Sequence, residues 1–389
     1  MRNTSEVDAA LRAAVDAGDI PAVIAMAADQ GGVIYEGAVS GRDSPVALDS
    51  VCWIASMTKP VTAVAAMQLV EQGRLSLDRP AQEIRPELAD IKVLEGFDAG
   101  GEPVLRAPRR PMTLRHLLTH TSGFGYDTWN AELFRYFAKT GKPTHATGKL
   151  EGLRVPLVFD PGEAWAYGIG IDWAGLMVEA VSGKRLDAYM RENIFEPLGM
   201  RDTGYALRPD QPARLAYTHA RKPDGKFERF ERQVPKDPEF IAGGGGLYST
   251  ATDYLVFLRM LLAGGHFGGV RLLRPDTVSM MAQNHMGAID VAPMKSTKPA
   301  ASADVELFPG MVKKWGLSFL INTGDVAGRR SAGSLTWAGL GNTYFWLDPN
   351  RRIAGVFLTQ VLPFGDNFVL RALDAFENAI YTGAAAPQH

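Results

Sequence analysis

The chain has 389 residues, 46% of them hydrophobic, and a formal net charge of −2. That length supports a large core and two lobes, and no apolar run is long enough to span a bilayer. Acids and bases are spread along the chain, leaving no basic footprint for nucleic acid or an anionic membrane, and the single cysteine, Cys52, rules out an intrachain disulfide or a cysteine zinc cluster.

Residues 1–20 are polar and helix-patterned, with Glu6, Asp8, Asp16 and Asp19. They lack the basic and apolar regions of a secretory signal, so a cytoplasmic location is expected. Residues 5–17 predict an amphipathic helix with Val7, Leu11, Ala14 and Val15 on one side. The apolar runs 22–28 and 33–39, joined by Asp29-Gln30-Gly31-Gly32, predict a hairpin. An alanine-rich helix is expected over 61–71, closed by Gln72-Gly73. From Pro80 to Pro111, prolines and glycines mark a loop-rich crossing.

Beyond it, 113–120 predicts a short helix stopped by Thr121-Ser122-Gly123. Residues 172–182 predict a helix capped by Asp172 and ended by Gly183, followed by another over 186–194. Gly243 to Gly246 precede a helix at 252–262. The last third predicts strands at 315–322, 333–337, 344–347 and 353–359, then a final helix over 367–381. Strands at both ends with helices between predict a discontinuous α/β domain, 1–80 and 205–389, around a mostly helical insert, 81–204.

The chemistry centres on Cys52-Trp53-Ile54-Ala55-Ser56-Met57-Thr58-Lys59-Pro60. Positions three apart on a helix share a face, so Ser56 and Lys59 stand side by side. A buried amine tends to be neutral, because desolvation disfavours its charged form, and a neutral amine can take the serine proton. Ser56 then reads as a nucleophile and Lys59 as its base. A serine ahead of a helix also fits an N-cap, and the pair alone does not separate the two.

These residues, with Glu71-Gln72-Gly73-Arg74-Leu75-Ser76-Leu77-Asp78, Leu114-Arg115-His116-Leu117-Leu118-Thr119-His120-Thr121-Ser122-Gly123, Asp160-Pro161-Gly162 and Pro197-Leu198-Gly199-Met200, carry a resemblance. Over about residues 20–381 the chain resembles the serine β-lactamase and penicillin-binding-protein superfamily, on its class C branch. Within that branch it is most similar to the family VIII carboxylesterases and the fungal statin side-chain acyltransferases. The resemblance implies a class C β-lactamase-like α/β fold: an antiparallel sheet flanked by N- and C-terminal helices, plus a mostly helical domain.

It further implies that Tyr167, in Tyr167-Gly168-Ile169, relays protons with its pKa lowered by Lys59, although the motif's asparagine is absent. The third motif falls on Ser334-Leu335-Thr336-Trp337-Ala338-Gly339-Leu340. There Trp337 replaces a lysine, giving an apolar wall for a neutral ester, and Gly339 lets the strand approach the substrate. By the same resemblance, Ser56 and Leu340 backbone N–H groups form the oxyanion hole.

Substrate contacts are expected from Trp337, Ala338, Gly339 and Tyr126, while Trp129, Trp165 and Trp173 fit pocket or core. Arg329 and Arg330 could supply a carboxylate clamp if the chain folds back. His116 and His120 have metal-like spacing but no third ligand, so a structural role is expected. The Gly243–Gly246 run reads as a tight backbone path near the site, and Cys52 as a small buried hydrophobe.

The implied activity is hydrolysis of short-acyl or small neutral esters through an acyl-enzyme on Ser56, with no metal or cofactor. Acyl transfer to an alcohol or amine by the same residues is the alternative, as is weak β-lactamase or D-Ala-D-Ala peptidase-like hydrolysis. The expected partner is a small ester, with no nucleic acid and no membrane; oligomeric state is not legible.

Overall fold

The structure, a computed structural model, describes residues 4–385. Residues 1–3 and 386–389, part of the terminal stretches read above, lie outside them. Helix α1 (Ser5–Asp16) buries Val7, Leu11 and Val15, the apolar stripe its sequence offers. Strands β1 (Ala22–Asp29) and β2 (Gly32–Ser40) form the N-terminal hairpin. Helix α2 (Thr58–Glu71) follows, then α3 (Leu114–Leu118), α4 (Gly170–Ser182) and α5 (Ala251–Leu262). The last part adds β3 (Lys313–Trp315), β4 (Leu320–Asn322), β5 (Leu335–Gly339), β6 (Thr343–Asp348), β7 (Ile353–Leu358) and α6 (Asn367–Ala385).

These strands make one antiparallel seven-stranded sheet in the order β3-β4-β5-β6-β7-β1-β2. Both ends of the chain therefore share a sheet, with Ile24 of β1 opposite Leu358 of β7. Helices cover its two faces. On β6, Phe345 meets Tyr254 of α5 with ring centroids 5.5 Å apart, while the next residue, Trp346, meets Phe376 of α6 at 5.7 Å. Consecutive strand residues point to opposite faces, so both sides must be apolar, and β6 and β7 are buried along their whole length. Room for Trp346 comes from its cross-strand partner Gly355, where a Cβ would stand 2.1 Å from the indole ring.

Local expectations differ from the structure in several places: the strand expected over 333–337 runs Leu335–Gly339, and a helix that was not expected spans Ala131–Thr140. The run 315–322 is two strands, because Gly316 and Ser318, at φ 77°, turn the chain between them. At Gly316 a Cβ would stand 2.3 Å from the Met281 carbonyl oxygen. The loop-rich crossing contains a hairpin, Val93–Phe97 against Pro103–Arg106, whose turn is held by the Asp98 carboxylate accepting from Gly100 and Glu102 N–H groups. Finally, α4 begins at Gly170, and Asp172 does not cap it. Among the described residues no helix is long and apolar enough to cross a membrane.

Candidate active site

Ser56 lies in a single helical turn, Ala55–Met57, that runs into α2. Ala55, immediately before it, has φ 46°, a left-handed conformation that costs about 1–3 kcal/mol outside glycine. Several contacts hold that strain. Ile54 N–H donates to the Leu247 carbonyl at 3.0 Å, Thr58 Oγ1 to the Ala55 carbonyl at 2.6 Å, and Tyr254 Oη to the Met57 carbonyl at 2.8 Å. No side chain caps α2, so the Ser56 hydroxyl is left for other work. Its partner is Lys59.

Lys59 is completely buried in the first turn of α2. Its Nζ lies 3.0 Å from Ser56 Oγ, 3.1 Å from Tyr126 Oη and 2.6 Å from the Gly244 carbonyl oxygen. A carbonyl can only accept, so it takes one N–H, and Tyr126 Oη takes a second. In a neutral amine the remaining lone pair faces the Ser56 hydroxyl, which can donate into it. Burial pushes the Lys59 pKa down to about 7, against the opposing pull of Asp172.

The Tyr167 oxygen accepts from the Trp337 indole N–H at 2.9 Å and lies within hydrogen-bonding reach of Ser56. Lys59 Nζ stands 4.7 Å from its ring centroid. The expectation that Lys59 lowers the phenol's pKa is corrected: burial dominates and raises it, so Tyr167 keeps its proton at neutral pH. Of the two groups, only the amine can be neutral with a free lone pair near pH 7, while the phenol stays protonated as a donor and acceptor.

The end of β5 reaches this turn because residue 339 has no side chain. A Cβ there would stand 2.2 Å from the Ile54 carbonyl oxygen and 2.3 Å from Thr343 Oγ1. Gly339 thus permits approach to the backbone that leads into Ser56, where approach to substrate had been expected. Leu340 is thereby carried to the cavity wall beside Ser56. Ala338 and Trp337 are each 2% exposed and lie outside that wall. In place of the apolar wall it was read as, Trp337 backs Tyr167, in a cluster with Trp315 at 4.7 Å. Tyr126, read only as a pocket border, both lines the cavity and touches Lys59.

The cavity holds about 1420 Å³, lined among others by Ser56, Tyr126, Trp129, Tyr205, Arg232 and Leu340. Arg232 lies over the Trp53 ring at 4.4 Å and donates to Tyr248 Oη. Arg329 and Arg330 are not available as a clamp, since both bind acids of α6: Arg330 donates to Glu377 at 2.7 and 2.6 Å, and Arg329 to Asp374.

His116 Nδ1 accepts from Thr113 N–H in the cap of α3, and His120 is packed among Trp165, Tyr167 and Trp315. Among the described residues no three His, Cys, Asp or Glu side chains group to hold a metal. Trp173 is core, stacked on Phe124, and Cys52 is buried. Sequence reasoning missed Asp172, whose Oδ1 accepts from Gly244 N–H at 2.8 Å. The available signal was an acid inside the otherwise apolar run of residues 169–178.

The family model described as Beta-lactamase matches residues 7–379. The acyltransferase mokF of Monascus pilosus is 36% identical over 370 residues, covering 89% of this chain and 87% of that protein. The lovastatin esterase of Penicillium rubens is 35% identical over 399 residues, covering 96% and 98%. Among solved structures, a LovD6 mutant of simvastatin synthase from Aspergillus terreus is similar with a TM-score of 0.84 and 32% identity, covering 98% of this chain and 97% of that one.

Proposed function

This chain belongs to the beta-lactamase family, and from that premise we propose that it is a serine acyl-transfer enzyme that moves an acyl group from an ester to an alcohol. Lys59 takes the Ser56 proton as Oγ bonds to the acyl carbon. The carbonyl oxygen gains the negative charge, held by the Ser56 and Leu340 N–H groups. Collapse breaks the bond to the leaving oxygen, which takes the proton of the Tyr167 hydroxyl beside Ser56, and the proton held by Lys59 restores that phenol. The acceptor hydroxyl then gives its proton to Lys59 and attacks the acyl-enzyme, and Ser56 leaves reprotonated.

The cavity carries the transfer reading over simple hydrolysis. Pockets for one small ligand are about 300–1000 Å³, and this one, at about 1420 Å³, has room for an acyl chain and a sizeable acceptor together. The likeness to acyltransferases supports the same choice. Hydrolysis with water as acceptor is the second reading, favoured by the likeness to lovastatin esterase.

Intact-protein mass spectrometry after brief exposure to p-nitrophenyl butyrate tests the first half: an adduct is expected on the wild type and none on Ser56→Ala. A chase with a panel of bulky alcohols tests the second, the new ester being the expected product. Free acid alone across the panel refutes transfer and leaves an esterase.

A further inference from the structure

The steps above leave one buried acid unused. Asp172, in the first turn of α4, is 2% exposed, and its Oδ2 is buried with no hydrogen-bond partner. A buried acceptor left without a partner is destabilising, more so when charged, unless something nearby compensates. Its other oxygen accepts from Gly244 N–H at 2.8 Å, and the carbonyl of that same Gly244 accepts from Lys59 Nζ at 2.6 Å. One residue therefore joins carboxylate to amine. Glycine there leaves room for both groups, since a Cβ would stand 2.8 Å from Asp172 Oδ2 and 3.1 Å from Tyr126 Oη and one of them would have to shift. The free carboxylate oxygen and the phenol that touches Lys59 thus crowd one point.

We propose that Asp172 is the positioning residue of Lys59: held through Gly244, it sets the charge of the amine, and the two titrate as one pair. The proposal rests on Lys59 being the base for Ser56. The other groups that face the pair are Tyr126, Tyr167 and Tyr205, whose phenols burial pushes up, and His120 and His145, which burial pushes down, His145 to about 4. At neutral pH all five are uncharged. That leaves Lys59, lowered by burial to about 7, and Asp172, raised by it to about 6, as the groups among these that change charge near neutral pH.

The sign follows. An ionised Asp172 favours the ammonium and so raises the pH at which Lys59 becomes the neutral, active base. Activity is lost as pH falls through that point. Asp172→Asn removes the charge while its Oδ1 can still accept from Gly244 N–H, so the acidic limb should move to lower pH. An opposite charge at close range shifts a pKa by about 1–3 units.

The test is kcat/KM against pH for p-nitrophenyl butyrate, wild type against Asp172→Asn. The variant's acidic limb should lie about one unit lower or more, a tenfold gain relative to its own plateau at a pH below both limbs. A purely structural role would lower the plateau and leave the limb in place, and that result overturns the proposal. If the variant does not fold, wild-type protein carrying ¹³C at lysine Cε decides. Its resonance that is missing from Lys59→Met should titrate in two steps, as coupled sites do; a single step overturns the pairing. An acyl adduct on Ser56 together with an unmoved limb refutes Asp172 alone and leaves the acyl-transfer reading standing.

Discussion

Gly339→Ala tests whether the β5 terminus is a working part of the site. Its Cβ would lie 2.2 Å from the Ile54 carbonyl oxygen, where real Cβ contacts stay above 3.0 Å, so the strand or the turn must give by about 0.8 Å. Neither neighbour is a flexible side-chain end: Ile54 is backbone, and Thr343 Oγ1 is tied to that same carbonyl at 3.3 Å. The displacement therefore falls on the spacing between Leu340 and Ser56. A misplacement near 1 Å costs about 10²-fold in rate, and loss of one oxyanion donor costs about 10²–10³-fold. We expect kcat for p-nitrophenyl butyrate to fall by about 10², with a smaller change in KM and a protein that still melts cooperatively. A folded variant within threefold of wild type would show that Leu340 N–H does not hold the oxyanion.

Ser56→Ala and Lys59→Ala should each abolish measurable ester turnover, and the double variant should be no worse than either, because the residues act as one unit. Additive losses in kcat would contradict that. Tyr167→Phe keeps the ring stack but removes the hydroxyl, and should lower kcat by about 10²–10⁴, the size of a general acid–base contribution; near-normal turnover would make the tyrosine structural. Glu377→Gln leaves the buried Arg330 guanidinium without its carboxylate, at a cost of about 3–5 kcal/mol. A lowered Tm with unchanged kcat per folded molecule is expected, whereas a selective loss of activity would tie Arg330 to the site.

Much of this architecture was legible because it is local. The stripe Val7, Leu11, Val15 lies on one face of any helix, and α1 buries it. The hairpin of β1 and β2 followed from two apolar runs around Gly31-Gly32. Errors arose where two local signals conflicted. In 315–322 the apolar run outweighed Gly316 and Ser318, although the glycine was demanded by a carbonyl of Met281 far away in sequence. Asp172 resembled a cap because a helix followed it, but its carboxylate is needed by Gly244, 72 positions on.

The sequence by itself determined that Ser56 and Lys59 meet, since i and i+3 neighbours are set by helical pitch whatever the rest of the chain does. Tertiary structure alone decided what that pair is. The partners of Lys59 come from 67 and 185 positions away, in Tyr126 and Gly244, and Trp337 reaches Tyr167 across 170. Periodicity reports which face of an element is buried, but not which distant polar group will share that burial. The charge of Lys59 depends on the second question, because desolvation and the Asp172 carboxylate come to bear on it only when α2, α4 and the Gly243–Gly246 segment pack together.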